Sequence, residues 1–231
     1  MVDGRGNVRY DAARACRELA AADAKLGALM RRAGPFALKL KSSRSPFEAL
    51  LEAILYQQLN GKAAATILAR LLAACGGAHP QPEQLLALPD ELLRTAGVSR
   101  NKTLALRDLA AKTIDGTVPT LPRIRRMTDE EILTRLTEVR GVGTWTAEMF
   151  LIFRLGRPDV FPLGDYGVRK GFLLTFGKTG GKPITAEMLP TPEDLLRRGR
   201  RWKPWRSVAS WYLWRACDLA RADSKASSIP G

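Results

Sequence analysis

Between Thr128 and Asp165 the sequence prescribes two helices joined by a glycine turn, and no other stretch restricts the fold as tightly. Thr128 and Glu131 form a capping box, and Met127 and Ile132 stand at hydrophobic-staple spacing, so a helix is predicted to start there. Ile132, Leu133, Leu136 and Val139 continue at helical spacing as far as Gly141-Val142-Gly143, whose glycines permit positive φ or close backbone approach. Helical spacing resumes through Trp145, Met149, Ile152 and Phe153, with Gly156 as the predicted C-cap. The pattern is a helix-hairpin-helix.

Exposed N–H groups in such a turn, with the N-terminus of the second helix, form an anion site suited to a nucleic-acid phosphate. An αα-hairpin buried in a helical core would share the same spacing. The apolar loop Val160-Phe161-Pro162-Leu163-Gly164 then delivers Asp165 to the start of another helix, where a plain N-cap is the simpler reading.

The net charge of +14 attracts polyanions, and with 45% hydrophobic residues over 231 positions the chain can bury a real core. No hydrophobic run reaches membrane-spanning length, and the polar start from Met1 to Tyr10 is unlike a signal peptide. A soluble intracellular protein is expected, cytoplasmic and nucleoid-associated if prokaryotic. Cys16, Cys75 and Cys217 have no metal-like spacing and read as buried thiols, and His79, in a Gly-Gly-Ala-His-Pro loop, is assigned no role.

Residues 12–32 read as one amphipathic helix ending before Gly34-Pro35. Ser45-Pro46 opens a helix that ends in Tyr56-Gln57-Gln58-Leu59-Asn60-Gly61, a polar end that either simply turns or fills the space left by a flipped nucleotide. Ser99 is a predicted cap, with Arg100 and Lys102 available for phosphate or merely solvated. Gly171 to Gly177, followed by Lys178-Thr179, has one intervening residue too many for a nucleotide loop. Gly180-Gly181-Lys182-Pro183 reads as a mobile loop, and the tail from Asp223 as disordered. Basic residues alternate with tryptophans in Arg201-Trp202-Lys203-Pro204-Trp205-Arg206-Ser207, and most of these aromatics are expected to pack inward.

Taken together, Gly-Val-Gly-Thr-Trp-Thr-Ala-Glu, the apolar loop, Asp-Tyr-Gly-Val-Arg and the tryptophan-rich segment resemble the helix-hairpin-helix DNA glycosylase superfamily. Within it the chain is most similar to the DNA-3-methyladenine glycosylase II branch, from Pro46 to Arg215. The resemblance implies an all-α fold of two helical subdomains flanking a DNA-binding cleft. Residues 1–40 with 118–231 would carry the hairpin and the acid, and 41–117 the wedge loop. It implies a monofunctional hydrolase of base excision repair, acting on 3-methyladenine- or 7-methylguanine-type purines in double-stranded DNA and leaving an abasic site. Asp165 would be catalytic, and Trp145, Met149, Tyr166 and Trp214 would line the base pocket. Gln58 would be the wedge with Leu59 and Asn60 beside it, and Gly141, Val142, Gly143 and Thr144 would hold DNA. Trp145 stands where bifunctional members carry a Schiff-base lysine, and Met149 where some relatives have an aromatic. No cofactor is required, no iron–sulfur cluster is expected, and a Na or K ion on the carbonyls of Thr137, Val139 and Val142 is implied. A monomer is expected. A glycosylase for deaminated or oxidised bases and a non-enzymatic DNA-binding module remain the alternatives.

Overall fold

The computed structural model describes residues 8, 10–177 and 184–226, and every regular element among them is helical. The segment 178–183 and residues 227–231, for which a mobile loop and part of a disordered tail were expected, lie outside the described residues. Contacts divide the chain into two units, Met1–Leu40 with Gly156–Gly231, and Lys41–Leu155.

In the first unit the expected single helix over 12–32 is two, α1 (Ala12–Ala22) and α2 (Ala24–Ala33). Asp23 breaks them apart. Its backbone is extended, and its side chain caps α2 by accepting from Leu26 N–H. α11 (Tyr166–Phe176), α12 (Pro192–Gly199) and α13 (Arg206–Ala226) complete the unit. α13 runs on past Asp223, which pairs with Arg32 at 3.0 Å, so the expected disorder does not begin there. The core joins Leu19, Leu26, Leu195, Val208 and Leu213 around Trp202, which is fully buried. Each such aliphatic side chain contributes about 1.5–3 kcal/mol on burial. α11 and α13 touch backbone to backbone: a Cβ on Gly171 would stand 1.9 Å from the Leu213 carbonyl oxygen.

The second unit contains α3 (Pro46–Tyr56), α4 (Gly61–Ala74), the short α5 (Pro82–Ala87) and α6 (Asp90–Thr95), and α7 (Arg100–Ile114). After α8 (Leu121–Ile124) come the hairpin helices α9 (Asp129–Thr137) and α10 (Thr144–Phe150), with a π-helical turn over Leu151–Leu155. Leu50, Leu51, Ile54, Leu55, Leu106 and Leu136 are fully buried. The sequence placed residues 118–155 with the acid-bearing subdomain, but by contacts they group with 41–117. Polar ties across the hairpin supply the reason. Arg140 N–H donates to Asp108 Oδ2 at 2.7 Å, Lys112 Nζ donates to the Glu138 carbonyl, and Gln57 Nε2 donates to the Gly141 carbonyl at 2.8 Å.

Candidate active site

The hairpin forms as its sequence requires. Both halves of the Thr128/Glu131 capping box are made, and Gly141 takes φ 78° where a non-glycine residue would be strained. Gly143 does not need its freedom, since its φ is −88° and a Cβ there would meet nothing within 4 Å. Gly141, Gly143 and Thr144 are exposed, whereas the Val142 side chain is buried and its N–H is given to the Val139 carbonyl. Gly143 caps α10 without a side chain of its own.

The end of α3 turns directly beneath this hairpin. Gln58 has φ 58°, the only non-glycine residue with positive φ among the described residues, and it is exposed together with Leu59 and Asn60. A left-handed glutamine costs about 1–2 kcal/mol, which points to a constraint other than stability. Asn60 has a structural duty as well, because its Oδ1 accepts Ala63 N–H at 2.8 Å and caps α4. Gln57 bridges the Gln58 turn and the hairpin through Gly141 and stands 3.5 Å from Thr146 Oγ1. Lys102, read as available for phosphate or merely solvated, instead donates from Nζ to the carbonyls of Leu55 and Gln57 at 2.6 and 3.0 Å, terminating α3. Burial lowers its pKa from the usual lysine value. Neither role was readable from the sequence, because both depend on partners 45 or more residues away.

Tyr56, Gln57, Gln58, Trp145 and Met149 line one cavity of about 640 Å³ within this unit. Trp145 is 49% exposed, unusual for a tryptophan. The chain therefore brings the expected wedge and two expected pocket residues to one concave surface.

In the other unit, Asp165 caps α11, with Oδ1 accepting Val168 N–H at 2.7 Å and the Trp214 indole N–H at 2.8 Å. Two donors on one oxygen fix the direction of the carboxylate. Gly167 makes this possible, since a Cβ there would lie 2.7 Å from Trp214 Cδ1 and 3.1 Å from Asp165 Oδ1. Trp214 thus meets the acid with its ring edge. Tyr166 is 58% exposed beside it, with Lys170 Nζ 5.9 Å from its ring centre. The three cysteines are half-buried rather than buried, and burial pushes each thiol above its usual value, which argues against nucleophilic roles.

The carbonyls expected to hold a monovalent cation lie at the end of α9 and in the hairpin. Val139 C=O accepts Val142 N–H at 2.9 Å and keeps a second lone pair, while the Arg140 N–H is drawn away to Asp108. Neutral oxygens of this kind suit a hard cation, so the residues present fit one.

Residues 51–188 match the family described as HhH-GPD superfamily base excision DNA repair protein. DNA-3-methyladenine glycosylase 1 of Schizosaccharomyces pombe is 35% identical over 178 residues, 77% of this chain and 75% of that protein. DNA-3-methyladenine glycosylase 2 of Escherichia coli is 29% identical over 77% of this chain and 60% of its own length. The solved structure of the S. pombe 3-methyladenine DNA glycosylase in complex with abasic DNA superposes with a TM-score of 0.76 at 33% identity, covering 90% of this chain and 98% of that one. The hairpin, the exposed Gln58 turn and the helix-capping aspartate are thus parts of a chain that belongs to the HhH-GPD superfamily of base excision DNA repair proteins, among its DNA-3-methyladenine glycosylases.

Proposed function

We propose that the protein is a monofunctional DNA glycosylase that hydrolyses the N-glycosidic bond of alkylated purines of the 3-methyladenine and 7-methylguanine type. It acts on double-stranded DNA after base flipping and leaves an abasic site, the species bound in the S. pombe structure. The observation that carries this reading is Asp165, a carboxylate aimed by an indole and a backbone N–H in a chain of this family.

The two units contribute different work. In the second, main-chain N–H groups of the hairpin at Gly141, Gly143 and Thr144 hold a phosphate, the Val142 N–H being given to the Val139 carbonyl. Gln58, on its left-handed turn, fills the space of the extruded nucleotide, with Leu59 and Asn60 in the minor groove. The Gln57 bridge to Gly141 makes wedge and hairpin one rigid piece. A flipped purine alkylated on a ring nitrogen is electron-poor and cationic, and the exposed face of Trp145 favours it by cation–π attraction, with Met149 as a soft wall, while Tyr166 and Trp214 in the first unit are the aromatic neighbours of Asp165. Such a base is already a good leaving group. As its bond breaks, positive charge develops on the sugar, and Asp165 stabilises it or directs water to it. Trp145 at the position of the Schiff-base lysine leaves no amine to cleave the strand.

A Na or K ion held by the carbonyls of Thr137, Val139 and Val142 would add positive charge behind the hairpin and strengthen phosphate binding there. The reading extends to a monomer with no other cofactor, working on the nucleoid if the cell is prokaryotic.

The test is release of free base from methylated duplex DNA by the wild type and by Asp165→Asn. Release of 3-methyladenine or 7-methylguanine that depends on Asp165 supports the proposal. Tight DNA binding without release from any of a panel of alkylated, deaminated and oxidised single-lesion duplexes would instead leave a binding module.

A further inference from the structure

His79 does not face solvent. Its side chain is 24% exposed, and Nε2 points between two carboxylates, 3.7 Å from Glu48 Oε1 and 3.6 Å from Glu52 Oε1. Glu48 and Glu52 are one turn apart on the same face of α3, while His79 comes from the loop between α4 and α5. The three donor atoms lie within 4.8 Å of one another. Two partly buried carboxylates at this spacing repel each other, and an imidazole nitrogen at 3.6–3.7 Å is too distant to relieve them by a hydrogen bond. The separation suits a different arrangement. Ligand atoms about 2.1 Å from a tetrahedral ion lie about 3.4 Å apart.

The oxygens facing away from His79 are already engaged by groups outside the cluster. Glu48 Oε2 accepts Arg44 N–H at 3.2 Å, and Glu52 Oε2 accepts the Arg154 guanidinium. Each glutamate is therefore oriented by its outer oxygen and presents its inner oxygen to Nε2, the manner in which outer-sphere partners orient metal ligands. Arg154 also offsets one of the two negative charges, so a dication would leave the cluster with a net charge of about +1 rather than buried negative charge.

We propose that Glu48, Glu52 and His79 form a binding site for a divalent transition-metal ion of the zinc type, clamping the first turns of α3 to the loop that follows α4. One nitrogen and two carboxylate donors select zinc, cobalt or nickel over magnesium and calcium, and the fourth position falls to water. His79 Nδ1 is buried without a hydrogen-bond partner. A coordinated ring would thus lack its usual orienting acceptor, which places the affinity roughly 10–100-fold below that of a fully supported site. The site is independent of the reading of Asp165 and of the lesion removed.

The experiment is calorimetric titration of the metal-free full-length protein with zinc chloride, alongside cobalt absorption spectra and thermal melts. Wild type is expected to bind one equivalent, to melt higher with zinc, and to give a cobalt spectrum without a thiolate charge-transfer band. His79→Ala and the near-isosteric His79→Gln should each weaken binding by roughly tenfold or more and abolish the melting shift. Cys75→Ser should bind as the wild type does. Equal binding by wild type and His79→Gln, loss of binding in Cys75→Ser, or no saturable binding to the wild type would each overturn the site and leave a histidine between two acids.

Discussion

Asp23 and Asp165 both cap a helix through Oδ1 and both accept an indole N–H, from Trp202 at 3.1 Å and Trp214 at 2.8 Å, yet their surroundings suit them to different tasks. Asp23 is 3% exposed and receives both arms of Arg198 at 2.7 Å. Burial opposes its charge, but Arg198, the Leu26 N–H and the Trp202 indole together hold the carboxyl below its usual range. It is a structural acid, bound so fully that it has nothing left to offer a substrate. Asp165 is half-buried, oriented by neutral donors, and flanked by the exposed Tyr166. One carboxylate holds the unit together, and the other is held by it.

Exchanging each acid for its amide is the strongest way to break this contrast. Asp165→Asn keeps an oxygen for Val168 and Trp214, so its melting point should stay near that of wild type, while base excision falls by about 100-fold or more. Asp23→Asn should do the reverse. Stranding Arg198 costs about 3–5 kcal/mol, roughly 10 °C in a melt of a chain this size, with the excision rate per folded molecule unchanged. Equal loss of activity in both would remove the distinction.

Gly167→Ala comes next. The added carbon pushes Trp214 away from Asp165, and an excision loss of about tenfold with about 1–3 kcal/mol of destabilisation is expected. Trp202→Phe and Trp214→Phe sharpen the comparison further, the first measured by denaturation and the second by excision. Losing a hydrogen bond to a charged acceptor costs about 1.5–3 kcal/mol at Asp23, whereas at Asp165 it should appear chiefly as a several-fold slower reaction.

The pH dependence separates the two acids most finely. Because the folded pKa of Asp23 is depressed, its stabilising contribution is complete above the unfolded value near 4 and is lost as the pH falls through the lower folded value. Unfolding free energies of wild type and Asp23→Asn should therefore converge below about pH 4.

Local signals were legible in the sequence and long-range pairings were not. The Thr128/Glu131 box, Ser45-Pro46, the Ser99 cap and Asp165 before α11 all announce themselves within four residues, and all are found. The break at Asp23 was hidden in a run of alanines, where its local cap on Leu26 N–H went unread and the Arg198 that also holds it lies 175 residues away. Residues 118–155 group by contacts with 41–117 for the same kind of reason, because Asp108 and Gln57 claim the hairpin across 32 and 84 residues. Lys102 looked like a surface charge because a lysine bound to two carbonyls has no sequence signature. His79 looked idle until α3 turned two glutamates toward it.

Gln58 places durability and repair in opposition. Glycine at that position would relieve the left-handed backbone and gain about 1 kcal/mol, less the extra freedom of the unfolded chain. It would also remove the side chain proposed to stand in for the missing nucleotide. Selection for heat resistance alone should then drift toward Gln58→Gly, whereas selection for survival of alkylation should restore glutamine, so the position records which of the two pressures a lineage has met.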